Sequence, residues 1–229
     1  MAQIRQAQKE DWWLFCDNYI KIAELACMEM IHQKYTMWFD EKRGNIGPKK
    51  FWPYNLYVSA IYSLKHSIEI FLKYFLIIIE DKFPEFKKEK DGHNIEKYLD
   101  LFKNKYKLEL INKTIKEAYE SKKESRYALE TAEMETKFSR EWMNNIAKIS
   151  LKYFHCEDIK GKITSIDLRD TSNDGFRYPK NKLIIELNYT EIVHKITKGD
   201  VKEVLKDINE LENAFSSLRF LIEVYYDIQ

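Results

Sequence analysis

Hydrophobic positions along this chain fall at helical spacing, and most densely between Asn55 and Ile79. There Leu56, Ala60, Ile61, Leu64, Ile68, Phe71, Leu72, Phe75, Leu76 and Ile79 recur three and four residues apart, and the aromatics and isoleucines between them leave little of the circumference polar. A helix apolar nearly all round is predicted to lie at the centre of a bundle. Its exceptions fall on a line, because Tyr62, His66, Glu69 and Lys73 follow one another at steps of four, three and four and so share one stripe. An ionisable group on a buried helix is costly unless paired, so partners for His66, Glu69 and Lys73 are expected from distant parts of the chain. Lys65, His66, Glu69 and Lys73 interrupt the run, and Glu80 and Asp81 end it short of the ~20 apolar residues of a membrane span.

The flanking segments repeat the helical pattern. From about Gln8 to Trp38, Trp12, Phe15, Cys16, Tyr19, Ile22, Ala23, Ala26, Met30 and Ile31 mark an amphipathic helix entered at Asp11, with His32 half-exposed near its end. Gly44, Gly47, Pro48 and Pro53 predict a long loop over Phe39 to Tyr54, whose Phe51, Trp52 and Tyr54 fit either a base-stacking platform or an anchor onto the core. A charged loop over Lys82 to Gly92 leads to a short helix capped by His93 or Asn94, with Ile95, Tyr98, Leu99 and Phe102 on its apolar face. The unsatisfied N–H groups at such a start favour an anion, which makes His93 and Asn94 candidate binding residues, although capping alone explains the pattern.

Between Lys107 and Asp158 there is neither Gly nor Pro, and helical period persists through Trp142, Ile146, Ile149 and Tyr153, which predicts two consecutive helices or one long bent one. Gly161 to Asn188 changes character: short β-favouring runs around the polar turn Thr171 to Gly175 fit a small hairpin or an ordered loop, followed by Phe176-Arg177-Tyr178-Pro179. A final helix is predicted from a cap at Asp200 with Glu203 completing a capping box, and its stripe from Val201 to Tyr225 should pack on the central helix.

Composition agrees with this pattern. The 229 residues include only six Gly and four Pro, where average usage gives about sixteen and eleven, and such scarcity favours helices. The length suits a single core with an appended N-terminal helix, so the division expected is an N-terminal helix and Trp-rich loop over 1–54 and a helical domain over 55–229. Lysines and arginines balance the acids to a net charge of +1, so no global field advertises nucleic acid, although Lys49, Lys50, Lys87 to Lys90 and Lys103 to Lys107 are local basic clusters that either touch phosphate or are solvated faces. Cys16, Cys27 and Cys156 are odd in number and Cys16 and Cys27 lie too far apart on one helix to bridge, which with a polar start to the chain predicts a reduced, cytoplasmic location. His155, Cys156, Glu157 and Asp158 are metal-ligand types, but as neighbours they point in different directions, so neither a metal site nor a cofactor is expected.

Three pieces in order, the central S-A-I-Y-S-L-K-H-S-I-E-I-F-L-K-Y-F-L-I, then G-H-N-I-E-K-Y-L, then F-R-Y-P, resemble the HEPN superfamily (higher eukaryotes and prokaryotes nucleotide-binding domains) over roughly Asn55 to Asp227. The resemblance implies an all-α bundle around the central helix, homodimerisation, roles in toxin-antitoxin, phage-defence or RNA-processing systems, and a protein partner such as a nucleotidyltransferase antitoxin. Many members are metal-independent ribonucleases that use Arg followed four to six residues later by His. This chain departs there, since none of Arg5, Arg43, Arg126, Arg140, Arg169, Arg177 and Arg219 has His in that window.

Two functions are therefore expected to compete with a purely structural reading. One is a catalytically silent, dimeric binding module recognising RNA, a nucleotide or a partner protein, with Glu69, Lys73, Asn94, Arg177 and Tyr178 as binding candidates. The other is a metal-independent endoribonuclease with a composite site, His66 or His93 supplying the acid or base and Arg177 the cation on the phosphate. Under the structural reading Arg177 instead pairs with Glu69, while Tyr178 and His93 lock the late loop onto the central helix.

Overall fold

The computed structural model describes residues 6–32, 36–40, 45–49, 56–80, 95–105, 113, 116, 117, 120, 126–154 and 196–228. Over these the chain is an all-α bundle with one small hairpin: α1 (Gln6–His32), β1 (Thr36–Asp40), β2 (Asn45–Lys49), α2 (Tyr57–Glu80), α3 (Ile95–Lys105), α4 (Arg126–Phe154) and α5 (Lys198–Ile228).

The central place predicted for α2 is observed. It packs on α1 along its length and meets α3, α4 and α5 as well, and Ala60, Ile61, Leu64, Ile68, Phe71, Leu72, Phe75 and Leu76 are all buried. Two helices converge on its phenylalanines. Phe215 of α5 stacks on Phe71 at 3.8 Å between ring centroids, and Phe102 of α3 meets Phe75 edge-on at 4.6 Å, geometries that add to the area buried. The terminal helix thus touches the central one as expected, but it lies more extensively against α4 and α1. Among the described residues no helix is long and apolar enough to cross a membrane.

The first helix is built into this core. Cys16, Ile20, Ala23, Cys27 and Met30 recur at steps of four and three, are buried, and share one apolar cluster with α2 and α5. The small side chains allow close approach: the Cys16 thiol donates to the Ser67 carbonyl of α2 at 3.4 Å. Lys21 ties the same helix to Glu212 of α5 at 2.5 Å, and Arg219 of α5 lies 4.6 Å over the ring of Trp13. Burial holds both thiols neutral. It pushes Cys27 up to about 12 and, with the nearby Asp17 carboxylate, Cys16 well above its ordinary range. Because only a thiolate is nucleophilic, Cys16 and Cys27 should resist iodoacetamide in the folded protein at pH 8 and react fully in urea. Peptide mass spectrometry after a timed pulse measures this, and rapid native labelling of either would contradict their burial.

Two expectations need correcting. The first helix ends at His32 and not near Trp38, because Thr36, Met37, Trp38 and Phe39 form β1. The predicted loop from Phe39 onward contains β2, which pairs antiparallel with β1 from Thr36 opposite Lys49 to Asp40 opposite Asn45. Thr, Trp and Phe favour the pleated backbone, and both strands of a two-stranded sheet are edges, the position in which a sheet accepts a proline such as Pro48.

The start of α5 is also set differently. Thr197, not Asp200, is the cap: its hydroxyl accepts from the Asp200 N–H at 3.3 Å, and the Asp200 carboxylate accepts from the Thr197 N–H at 2.8 Å. This reciprocal box follows the pattern T-x-x-D, one turn before the D-x-x-E reading. The short helix α3 buries Ile95, Tyr98, Leu99 and Phe102 as its spacing predicts. The late segment expected to form a hairpin or loop lies outside the described residues.

Candidate functional site

The polar stripe of α2 comes together as one site. Glu69 is buried, and its carboxylate accepts a hydrogen bond from the Lys73 ammonium one turn on. His66 lies one turn the other way, with Nδ1 at 3.8 Å from Glu69 Oε2. Glu69 therefore obtains a counter-charge from its own helix, while Arg177, the distant partner expected for it, lies outside the described residues. The reason is local, since the step of four that put Glu69 and Lys73 on one stripe also puts their heads within reach.

Aromatic rings from α1, α2 and α3 close the flanks. Tyr19 of α1 meets His66 edge-on at 4.5 Å, Tyr62 stacks beside it at 5.7 Å and 12° between planes, and the Lys73 ammonium lies 5.4 Å from the ring centre of Tyr98 on α3. Burial, and then the Glu69 charge, push the Tyr98 hydroxyl well above its usual range, so it stays a neutral donor. The side chains of His66 and Lys73 remain 17% and 16% exposed. One imidazole and one ammonium thus reach water over a buried carboxylate that fixes the lysine. Such an arrangement can stack a planar ring against Tyr62 and His66 and offer a hydrogen-bond donor beside it.

No protein-family model, curated protein or solved structure matches this chain significantly. The reading of the site therefore rests on its own chemistry. Of the candidates named from sequence, His66, Glu69 and Lys73 are brought together, whereas His93, Asn94, Arg177 and Tyr178 lie outside the described residues. Among the described residues no group of three or more His, Cys, Asp and Glu side chains could hold a metal ion.

A second polar cluster, not anticipated from sequence, sits where α4 meets α5. Asp207 is 8% exposed; its Oδ2 accepts from the Tyr153 hydroxyl at 2.7 Å and from the Lys152 ammonium at 2.5 Å. Lys152 also bonds Glu203 at 2.8 Å. The signal was present, because Asp207 stands on the apolar stripe of α5 between Val204 and Leu211, at steps of three and four. Nearby, the Tyr57 hydroxyl is buried without a hydrogen-bond partner among the described residues. Burial, and then the charges of Asp200, Glu203 and Asp207, push it far above its usual range. Lys152 bridges the buried Asp207 and the exposed Glu203, and with Tyr153 it fixes α4 against α5.

Proposed function

We propose that this chain is a HEPN-like binding module, acting as a dimer, that takes RNA or a free nucleotide on the α2 stripe. The single observation that carries the reading is the partly exposed His66 and Lys73, held over buried Glu69 and flanked by the rings of Tyr19, Tyr62 and Tyr98. Stacked rings bind bases with little regard to sequence, and a neighbouring ammonium adds a contact to phosphate or base. A chain with a net charge of +1 has little long-range attraction for phosphate, so affinity must come from such local contacts and should be modest and salt-sensitive. The resemblance of the three sequence pieces, taken in order, to HEPN proteins supports the same reading and suggests a defence or toxin-antitoxin setting, with a nucleotidyltransferase-like antitoxin as the protein partner to try.

Fluorescence anisotropy with labelled tRNA and calorimetry with ATP test this, using wild type and Tyr62→Ala. Tyr62 is only partly buried, so the substitution should leave the fold intact and weaken binding by about 1–3 kcal/mol, the worth of one stacked base. Saturable binding lost in the variant is the expected result. Absence of binding to either ligand by folded wild type would overturn the reading. Cleavage of the tRNA in EDTA, abolished by His66→Gln, would replace it with the ribonuclease alternative that uses His66 or His93 with Arg177.

A further inference from the structure

The outer face of α1 carries a run of large apolar side chains in water. Phe15 and Leu25 are 59% and 63% exposed, with Leu14, Ile22 and Met28 beside them at 55%, 49% and 39%. Leu14 to Met28 spans about 21 Å at 1.5 Å per residue. These positions lie on the side of the helix away from Cys16, Ile20, Ala23 and Cys27, which face the core. Exposed apolar residues are ordinary when scattered, but five along one helical face are a docking surface.

We infer that this face pairs with the same face of a second copy of the chain, the two α1 helices running antiparallel about a twofold axis between Lys21 and Ile22. A twofold contact brings residue i opposite j and j opposite i, so the face must complement itself. About that axis Phe15 falls opposite Met28 of the second copy, and Asn18 opposite Leu25. At the two ends Asp11 falls opposite His32. Asp11 and His32 are both exposed, and the His32 Nδ1–H donates to the Met28 carbonyl at 2.8 Å, so the ring in its doubly protonated form donates its Nε2–H to the partner's carboxylate. A parallel pairing would instead set Asp11 against Asp11 and His32 against His32. At the centre the Lys21 ammonium is already engaged by Glu24 and Glu212 of its own chain, so it brings no unpaired charge to the seam.

The pairing supplies a surface for the self-association in the proposed function and rests on α1 alone, so a monomer that still bound RNA would overturn this inference and the dimeric part of that reading while leaving its ligand site on α2 standing. Sedimentation velocity over a range of concentrations tests it on the full chain. Wild type should approach twice the chain mass of 27.7 kDa, and Leu25→Lys should sediment as a monomer with an unchanged melting temperature. Ile22→Cys, next to the axis, should cross-link to a dimer on mild oxidation, whereas Asp11→Cys, far from it, should not. Equal cross-linking at both positions would establish parallel helices and overturn the arrangement. A dimer that survives Leu25→Lys would place the contact elsewhere. A monomeric wild type overturns the pairing in either of two ways: a lowered melting temperature in Leu25→Lys means the face is covered within the chain, and an unchanged one means it serves a different partner.

Discussion

Lys73→Met is expected to destabilise the protein by about 3–5 kcal/mol, the usual consequence of leaving one member of a buried ion pair without the other. The asymmetry of the pair makes the direction specific. Glu69 is 1% exposed, whereas the Lys73 side chain is 16% exposed. Removing the lysine takes from a buried carboxylate the ammonium that donates to its Oε1; removing the glutamate leaves an ammonium that can turn toward water. Glu69→Leu should therefore cost less than Lys73→Met, and the double variant should recover most of the loss, because two apolar side chains of similar volume replace the pair at little net cost. Urea unfolding followed by circular dichroism measures all three variants, with a common slope showing that only stability has changed. A Lys73→Met midpoint equal to that of wild type would show that the carboxylate is satisfied without the lysine. The pair would then have no structural weight.

Stability is also expected to fall steeply above pH 10. Tyr57, Tyr74, Tyr98 and Tyr153 are all buried, and burial is the largest cause of the upward shift at each. Tyr74 is pushed up to about 12, with Arg219 pulling the other way. In the unfolded chain each titrates near 10.0, its ordinary value. Below that pH every tyrosine is protonated in both states and the stability is intact. Above it the unfolded state releases protons that the folded state retains, so folding weakens by about 1.4 kcal/mol per pH unit for each tyrosine until its folded pKa is reached. Four such groups remove a typical stability of ~5–15 kcal/mol within about two to three pH units. Cys16 and Cys27 begin the same decline near 9.0, the ordinary value for a thiol. Urea midpoints between pH 8 and 11.5, with tyrosinate absorbance at 295 nm recorded in parallel, test this. A flat stability curve, or tyrosinate forming near pH 10 before unfolding, would contradict the burial of these hydroxyls.

How far the site was legible from sequence differs from group to group. The stripe Tyr62, His66, Glu69, Lys73 could be read because a helix turns spacing directly into a shared face. Its internal salt bridge between Glu69 and Lys73 follows from the same spacing. Tyr19 and Tyr98 could not be assigned to His66 and Lys73 beforehand, because each arrives on a separate helix and its position depends on how that helix packs. Asp207 is intermediate. Its place on an apolar stripe marks it as buried, but nothing in the order of residues says that Lys152 and Tyr153, more than fifty positions away, supply the partners.

The sequence by itself determined an all-α chain, a central helix from about Asn55 to Ile79, and the buried faces of α3 and α5, because periodicity is a local property that survives without knowledge of the fold; on α1 the stripe it marked included Phe15 and Ile22, which are exposed. It misjudged β1 and β2, where Gly44, Gly47 and Pro48 suggested loop and pairing between two short strands overrode that preference. Tertiary structure alone decided which rings flank His66, that Phe71 and Phe215 stack, and that Leu14, Phe15, Ile22, Leu25 and Met28 stay in water on a helix whose other face is buried. Contacts between residues far apart in the chain exist only once folding has closed the loops between them, and one helix has two sides that its own pattern cannot assign to core or solvent until its neighbours are in place.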